Sequence, residues 1–379
     1  MSGPLRILHI LSGDLWAGAE AQAFTLLAHL AKMPDAQIAA VLLNEGTLTE
    51  KLRETGICVH VLDERNLDAV RLYRRLRVVL RNWNPDIVHT HRVKENIIGS
   101  VANRLERRVP CLRTVHGGDE RSASRGLRTL RQRGIYELDR WCGRVLQQKI
   151  VAVSTELGNR LGREYPPGWV VVVENGVDEN RVLSERATAE FRAEAPDALH
   201  IGIVGRLVQV KRVDLFLRIA SLLTVESFGR PLRFHVFGDG PLRSNLENLA
   251  RQLRIANRVS FHGHRHDIAS CIGGLDALII CSDHEGLPMT ALEALVLQIP
   301  TVAHAVGGLV DVVPEEFLVQ RHDPEGYKNQ VMRALGEQGR AIAAANSVRR
   351  LPYFTAGRNA ERVRALYADM IAAHDGTRR

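Results

Sequence analysis

Glu285 and Glu293 lie on either side of Gly286-Leu287-Pro288-Met289-Thr290, within the stretch from Ser282 to Ala294, and that arrangement suits a sugar joined to a phosphate. Pro288 fits the first position of a helix, where its missing N–H costs nothing, so the amides of Met289 and Thr290 are expected to be free for an anion. A pyrophosphate is the natural ligand of such a helix start. Glu285, just ahead of the helix, is placed to accept hydrogen bonds from hydroxyls near the phosphate. Glu293, over a turn inside, reaches hydroxyls further along. A nucleotide sugar has both. The same residues also suit a capped helix behind a buried strand, with Glu285 acting on the helix dipole and Glu293 in water.

A diphosphate calls for cations. Gly205-Arg-Leu-Val-Gln-Val-Lys-Arg212 follows a buried strand-like run, so Arg206 and Lys211 are expected to project from the strand's carboxyl end. There they would neutralise charge developing on a departing nucleoside diphosphate. Gly238-Asp-Gly-Pro241 reads as a tight turn that lets a flat base approach, or simply as a turn. Near the N-terminus, the run from Ser12 to Glu20 carries glycine without dinucleotide spacing, which argues against NAD. Gly18 still lets backbone approach a phosphate, and Glu20 is placed to cap the following helix. His116 ends a strand ahead of Gly117-Gly118-Asp119, a position suited to touching a transferring sugar. His91 ends another, and with Lys94 and Asn96 beyond it could line an acceptor pocket. For any one of these rings a packed structural role is the commoner one. No His-Glu-x-x-His pattern or Asp-x-Asp pair occurs, so no metal or other cofactor is expected.

These residues need strand ends to carry them. Apolar strand-like runs alternate with helical patterns: Ile7 to Leu11, Gln37 to Leu43, Cys58 to Leu62, Asp86 to Thr90, Cys111 to Val115, Lys149 to Val153 and Val170 to Val173. The order begins again with Leu199 to Val204, Phe234 to Phe237, Val259 to Phe261, Ala277 to Ile280 and Pro300 to Ala303. Such alternation predicts α/β architecture with two Rossmann-like, doubly wound parallel-sheet domains and a site in the central cleft that they face. A chain of 379 residues suits two domains. The polar stretch from Asp178 to Asp197 is the expected linker.

Hydrophobic residues make up 45% and charged residues 25%, which describes a soluble globular protein. No secretory signal and no apolar run long enough for a membrane helix is read, and five scattered cysteines suit reduced thiols, so a cytoplasmic location is expected. The net charge of +8 is concentrated between Arg104 and Lys149, with 12 Lys/Arg against 5 Asp/Glu. There Leu127, Leu130, Ile135, Leu138, Trp141, Val145 and Leu146 recur at helical spacing among Arg125, Arg128, Arg131, Arg133, Arg140 and Arg144, predicting a basic amphipathic helix. Its apolar face could meet the core, or the segment 121–149 could meet an anionic membrane surface as a peripheral contact on the inner face of the cell membrane. No recognisable module makes nucleic acid a partner.

Taken together these segments resemble the family 4 retaining glycosyltransferases of the GT-B fold. The matching parts are Gly18-Ala-Glu20, Val88-His-Thr-His91, Thr114-Val-His-Gly117, Val151-Ala-Val-Ser154, Asn175-Gly-Val-Asp178, Gly205-Arg-Leu207 with Lys211, Gly238-Asp-Gly-Pro241, and Glu285 to Ala294 with Pro300-Thr-Val302 after it. The resemblance implies transfer from a UDP- or GDP-sugar to a hydroxyl of a saccharide or lipid-linked acceptor, with retention and without a metal. It implies that Arg206 and Lys211 bind the diphosphate, Glu293 the ribose, Glu285 and His116 the donor sugar, and that Gly18 lies beside the phosphates. It also implies domains at 1–178 and 179–355, with a helix at 356–379 returning to the first. Ala17 and Arg212 stand where family members often have glycine. The other readings of this scaffold are a nucleotide-sugar 2-epimerase and a non-catalytic sugar-binding subunit.

Overall fold

A computed structural model of the chain describes residues 3–13, 16–117, 130–187, 189–224 and 228–378. The chain forms two compact units: of the described residues, one takes those up to Gly117, those from 130 to Gly176 and those from Ala356 on, and the other takes those within Val177–Thr355.

The first unit contains strands β1 (Leu5–Leu11), β2 (Ala36–Leu42), β3 (Cys58–Val61), β4 (Ile87–His91), β5 (Cys111–Val115), β6 (Lys149–Ala152) and β7 (Val170–Val172) in a sheet of order β3-β2-β1-β4-β5-β6-β7. The second contains β8 (Leu199–Val204), β9 (Leu232–Phe237), β10 (Val259–Gly263), β11 (Ala277–Ile280), β12 (Thr301–His304) and β13 (Leu318–Val319), in the order β10-β9-β8-β11-β12-β13. All the pairings within these sheets are parallel. Every strand-like run named from the sequence falls on an observed strand, because strands covered on both faces are nearly continuous in apolar residues. Only β13 was missed: two residues after a short 3-10 turn, Glu315–Phe317, leave no period to read.

Alternation along β1 sorts its side chains between two helix layers. Leu5, Ile7 and Leu11 join Ala40 and Leu42 under helix Gly18–Leu30 and the last helix, Ala356–Arg378, which contributes Val363, Tyr367 and Met370. Leu8 and Ile10 join Ala39 and Val41 under Leu72, Leu76 and Leu80 of helix Ala69–Trp83.

Two expectations are corrected here. The stretch from Asp178 is no open linker: it forms helices Glu179–Ser184 and Glu190–Glu194, the first capped by the Asp178 side chain, which accepts from the Arg181 N–H. Phe191 is buried, its ring 4.2 Å from that of His235 in β9. The basic helix spans Leu130–Val145, but it leaves Ile135, Leu138, Trp141 and Val145 exposed rather than in the core. Arg125, Leu127 and Arg128 lie outside the described residues, as do Gly118, Asp119 and the side chains of Leu130 and Arg131.

Candidate functional site

In the second unit the loops after β8 and β11 are tied together. The chain leaves β8 through Gly205-Arg206-Leu207 into a 3-10 turn, Gln209–Lys211, and the Val210 carbonyl accepts from the Asp283 N–H at 2.9 Å. Lys211 Nζ donates to Glu285 Oε1 at 2.6 Å, with both side chains part-buried. Arg206, by contrast, is exposed. Arg212 takes a left-handed conformation, φ 49°, held by its guanidinium on Asp214 and Asp283. A glycine is at home in that conformation, which gives the departure at this position its physical meaning.

The turn after β9 approaches the same loop so closely that side chains are excluded. Gly238 has φ 131°, and a Cβ on it would run into the Gly205 carbonyl. A Cβ on Gly240 would meet the backbone of Leu207. Close packing of these two loops therefore accounts for both glycines. Lys211, Gly205, Phe237 and Ser282 line a small cavity at these strand ends. A larger one, about 730 Å³ and lined by Arg186, Arg192 and Arg340, lies at the other end of the sheet, beside Leu275 and Pro300 ahead of β11 and β12. Ligands of such sheets collect at the carboxyl ends, where Lys211 and Glu285 lie.

Helix Met289–Val296 starts one residue later than the sequence suggested, with Pro288 as its N-cap residue. The amides of Met289 and Thr290 still have no acceptor among the described residues, because Pro288 supplies only its carbonyl, to Ala291 and Leu292. Glu293 is buried on the second turn, not solvated, with Arg181 Nη2 4.0 Å away. Burial pushes its carboxyl up to about 7, opposed by Arg181 and aided by Glu185. Gly307, passed over in the sequence, has φ 58°, and a Cβ there would strike the Glu285 carbonyl. The Gly308 N–H donates to the Gly286 carbonyl, so this pair seats the Glu285 loop.

In the first unit Gly18 opens helix Gly18–Leu30 with open space around its α-carbon. The buried Glu20 carboxylate, on the first turn of that helix, accepts from Arg92. Lys94 is half-exposed and donates to Glu64. Asn96 is fully buried: its amide donates to Asp139 Oδ1 at 2.6 Å and its oxygen accepts from Gln147. Asp139 is itself paired with buried Arg113, so Asn96 belongs to an internal polar network and not to an acceptor surface. His91 is buried too, with Nδ1 3.0 Å from His116 Nε2 and Nε2 3.1 Å from His9 Nδ1. Buried between those two rings, it does not present a ring nitrogen to an acceptor pocket. Burial and nearby Arg92 push His116 down to about 3, so its ring is neutral.

The sequence showed no histidine cluster because these rings come from two strands distant in sequence, β1 and β4, and from the residue just past β5. His9, His89 and His91 bring ligand-type nitrogens within 4.8 Å of one another. Glu95 also went unnoticed: it is buried beyond β4, and burial pushes it up to about 7 against a hydrogen bond from Ser12.

Two parallel-sheet α/β units of seven and six strands give the chain the GT-B fold. The family model described as Glycosyltransferase Family 4 matches residues 16–181, and that described as Glycosyl transferases group 1 matches 198–337; the chain belongs to glycosyltransferase family 4. It is 25% identical over 305 residues to an Escherichia coli UDP-Gal:alpha-D-GlcNAc-diphosphoundecaprenol alpha-1,3-galactosyltransferase, covering 77% of this chain and 78% of that one. A D-inositol 3-phosphate glycosyltransferase of Salinispora tropica is 30% identical over 248 residues, 59% of this chain and 51% of that protein. The fold matches Anabaena HepE in complex with UDP, with a TM-score of 0.80, 17% identity, and coverage of 96% of this chain and 100% of that one. It also matches WaaG, a glycosyltransferase involved in lipopolysaccharide biosynthesis, at a TM-score of 0.72, 15% identity, and coverage of 95% and 98%.

Proposed function

We propose that this enzyme moves a hexose or related sugar from a UDP- or GDP-sugar to a hydroxyl of a saccharide or lipid-linked acceptor, with retention at the anomeric carbon and without a metal. The observation that carries the reading is the Lys211–Glu285 pair next to a helix start whose first amides are unengaged. Lys211, exposed Arg206 and the amides of Met289 and Thr290 supply positive charge for a diphosphate, with Gly286, Leu287 and Pro288 shaping the approach. Glu285 accepts from donor-sugar hydroxyls and Glu293 binds the ribose. Gly238 lies by the base. From the first unit, Gly18 meets the phosphates and His116 a sugar hydroxyl, while Lys94 is left as the acceptor-side contact. The acceptor hydroxyl attacks from the face the diphosphate leaves, and the departing oxygen takes its proton, so no enzyme nucleophile is needed.

The relatives' names support a sugar nucleotide donor and, in one case, a diphosphoundecaprenol acceptor, which fits cell-surface polysaccharide or lipopolysaccharide assembly. A peripheral membrane contact fits helix Leu130–Val145, where exposed Ile135, Leu138, Trp141 and Val145 run beside Arg133, Arg140 and Arg144. No helix among the described residues is long and apolar enough to cross a membrane.

The test is release of nucleoside diphosphate from UDP- and GDP-sugars in EDTA, with and without lipid-linked saccharides, and NMR of the product anomer. Acceptor-dependent release with the donor's anomeric configuration is the expected result. Inversion would refute the mechanism, and an acceptor-independent change in the sugar would mark a 2-epimerase instead.

A further inference from the structure

Five aromatic side chains of the first unit form one hydrogen-bonded chain. Alternation places His9 of β1, His89 and His91 of β4, and Thr114 of β5 on one sheet face, since His9 pairs with His89 and His91 with Thr114 in register. Tyr367 of the last helix covers them. From one end, Thr114 Oγ1 is 2.8 Å from His89 Nε2, His89 Nδ1 is 2.6 Å from the Tyr367 hydroxyl, and that hydroxyl is 3.2 Å from His9 Nε2. His9 Nδ1 then meets His91 Nε2, and His91 Nδ1 meets His116 Nε2. The chain ends at His116 Nδ1, buried and without a partner.

Burial holds His9, His89, His91 and His116 well below the usual histidine range, so each ring carries one proton and donates from one nitrogen only. The five links must therefore all run the same way, since two donors meeting at Tyr367 would leave its own buried O–H undonated. Among the described residues the Thr114 hydroxyl has no acceptor except His89 Nε2, so the reverse direction would leave two buried groups unsatisfied, the Thr114 O–H and the lone pair of His116 Nδ1, whereas the forward one leaves only the His116 Nδ1–H; each such group costs about 1–3 kcal/mol. Thr114 thus donates, and the direction propagates: His89 to Tyr367, Tyr367 to His9, His9 to His91, His91 to His116.

We infer that Thr114, His89, Tyr367, His9 and His91 are positioning residues that fix His116 as the Nδ1–H tautomer, making it a hydrogen-bond donor to a ligand oxygen and not a proton acceptor. That the ligand oxygen is a donor-sugar hydroxyl rests on the proposed function; the tautomer does not. The spacing of His9, His89 and His91 would admit a metal ion, but both nitrogens of each ring are already used by protein partners. The second unit holds an internal control. His200 Nε2 donates to the Ala195 carbonyl at 2.9 Å, which makes His200 Nδ1 accept from His235 Nε2 and His235 Nδ1 accept from His262 Nε2. That chain has the opposite tautomer throughout.

NMR of the full chain with nitrogen-labelled histidine, without ligand and at neutral pH, reads each tautomer directly. Nδ1–H is expected for His9, His89, His91 and His116, and Nε2–H for His200, His235 and His262. Thr114→Val is expected to turn His116 into a mixture of tautomers, and Thr114→Ser to keep it single. An Nε2–H state at His116, a His116 signal unmoved in folded Thr114→Val, or stoichiometric zinc in the purified protein would each overturn the inference. In the transfer assay Thr114→Val should lower kcat roughly tenfold or more, with Thr114→Ser near the parent enzyme. The predicted tautomers with unchanged transfer would uphold the chain and remove His116 from the sugar contact.

Discussion

Lys211 Nζ lies 2.6 Å from Glu285 Oε1, which joins the loop after β8 to the loop after β11. The pair is formed before any donor arrives. Its charges are set by protein geometry, so a diphosphate and a sugar hydroxyl meet groups that need little reorganisation.

Lys211→Ala and Glu285→Gln are each expected to lower turnover on the order of 100- to 1,000-fold, the scale on which one preorganised electrostatic contact acts. The pair is part-buried at the strand ends, so circular dichroism of both variants should match the parent. Turnover close to the parent's in both would remove the pair from catalysis.

Stability should fall as pH rises through the range set by Glu293. Burial holds its carboxyl at about 7 in the folded chain against 4.5 for the ordinary group. Between those values the folded state keeps a proton that the unfolded state has lost. The resulting stabilisation is complete below 4.5 and is lost as pH passes 7, a change of roughly 3 kcal/mol at most. Glu95 acts in the same direction over the same window. Urea midpoints at about pH 5 and pH 8 should therefore differ less in Glu293→Gln than in the parent, while some slope from Glu95 remains.

Gly307→Ala should damage the donor half-site without touching an ionisable group. Its new Cβ meets the Glu285 carbonyl, and φ 58° is strained for alanine by about 1 kcal/mol or more. Loss of nucleotide binding with a folded chain is the expected result, read by calorimetric titration. Binding equal to the parent's would show that the Glu285 loop tolerates displacement.

Sedimentation with vesicles checks the membrane contact. The parent should pellet with anionic vesicles and not with neutral ones, and Trp141→Asp with Val145→Asp should abolish this, since both side chains are already exposed and carry little of the fold. Equal pelleting of the double variant would assign the contact elsewhere.

The sheets were legible because both faces of each are covered, so strands such as Cys111–Val115 and Ala277–Ile280 read as unbroken apolar runs. The Glu285 loop was legible because its glycine, proline and carboxylates are close in sequence. What could not be read depends on distant partners. Asn96 looked available until Asp139 and Gln147 enclosed it, and His91 until His9 and His116 took its two nitrogens. Gly307 gives no local sign that it faces the Glu285 carbonyl. The basic helix had the right period, but period does not say which apolar stripe the core covers, and Trp141 and Val145 fell outside it.

The most direct test is a thermal-shift titration of UDP, GDP and ADP in EDTA against the parent, Lys211→Ala and Glu285→Gln. A nucleoside diphosphate at about 100 times its Kd adds roughly 2.7 kcal/mol to the native state, a rise of several degrees for a chain of this size. That rise is expected for UDP or GDP with the parent, and its loss with Lys211→Ala. No rise with any of the three, or an undiminished rise with Lys211→Ala, would contradict the proposed donor site.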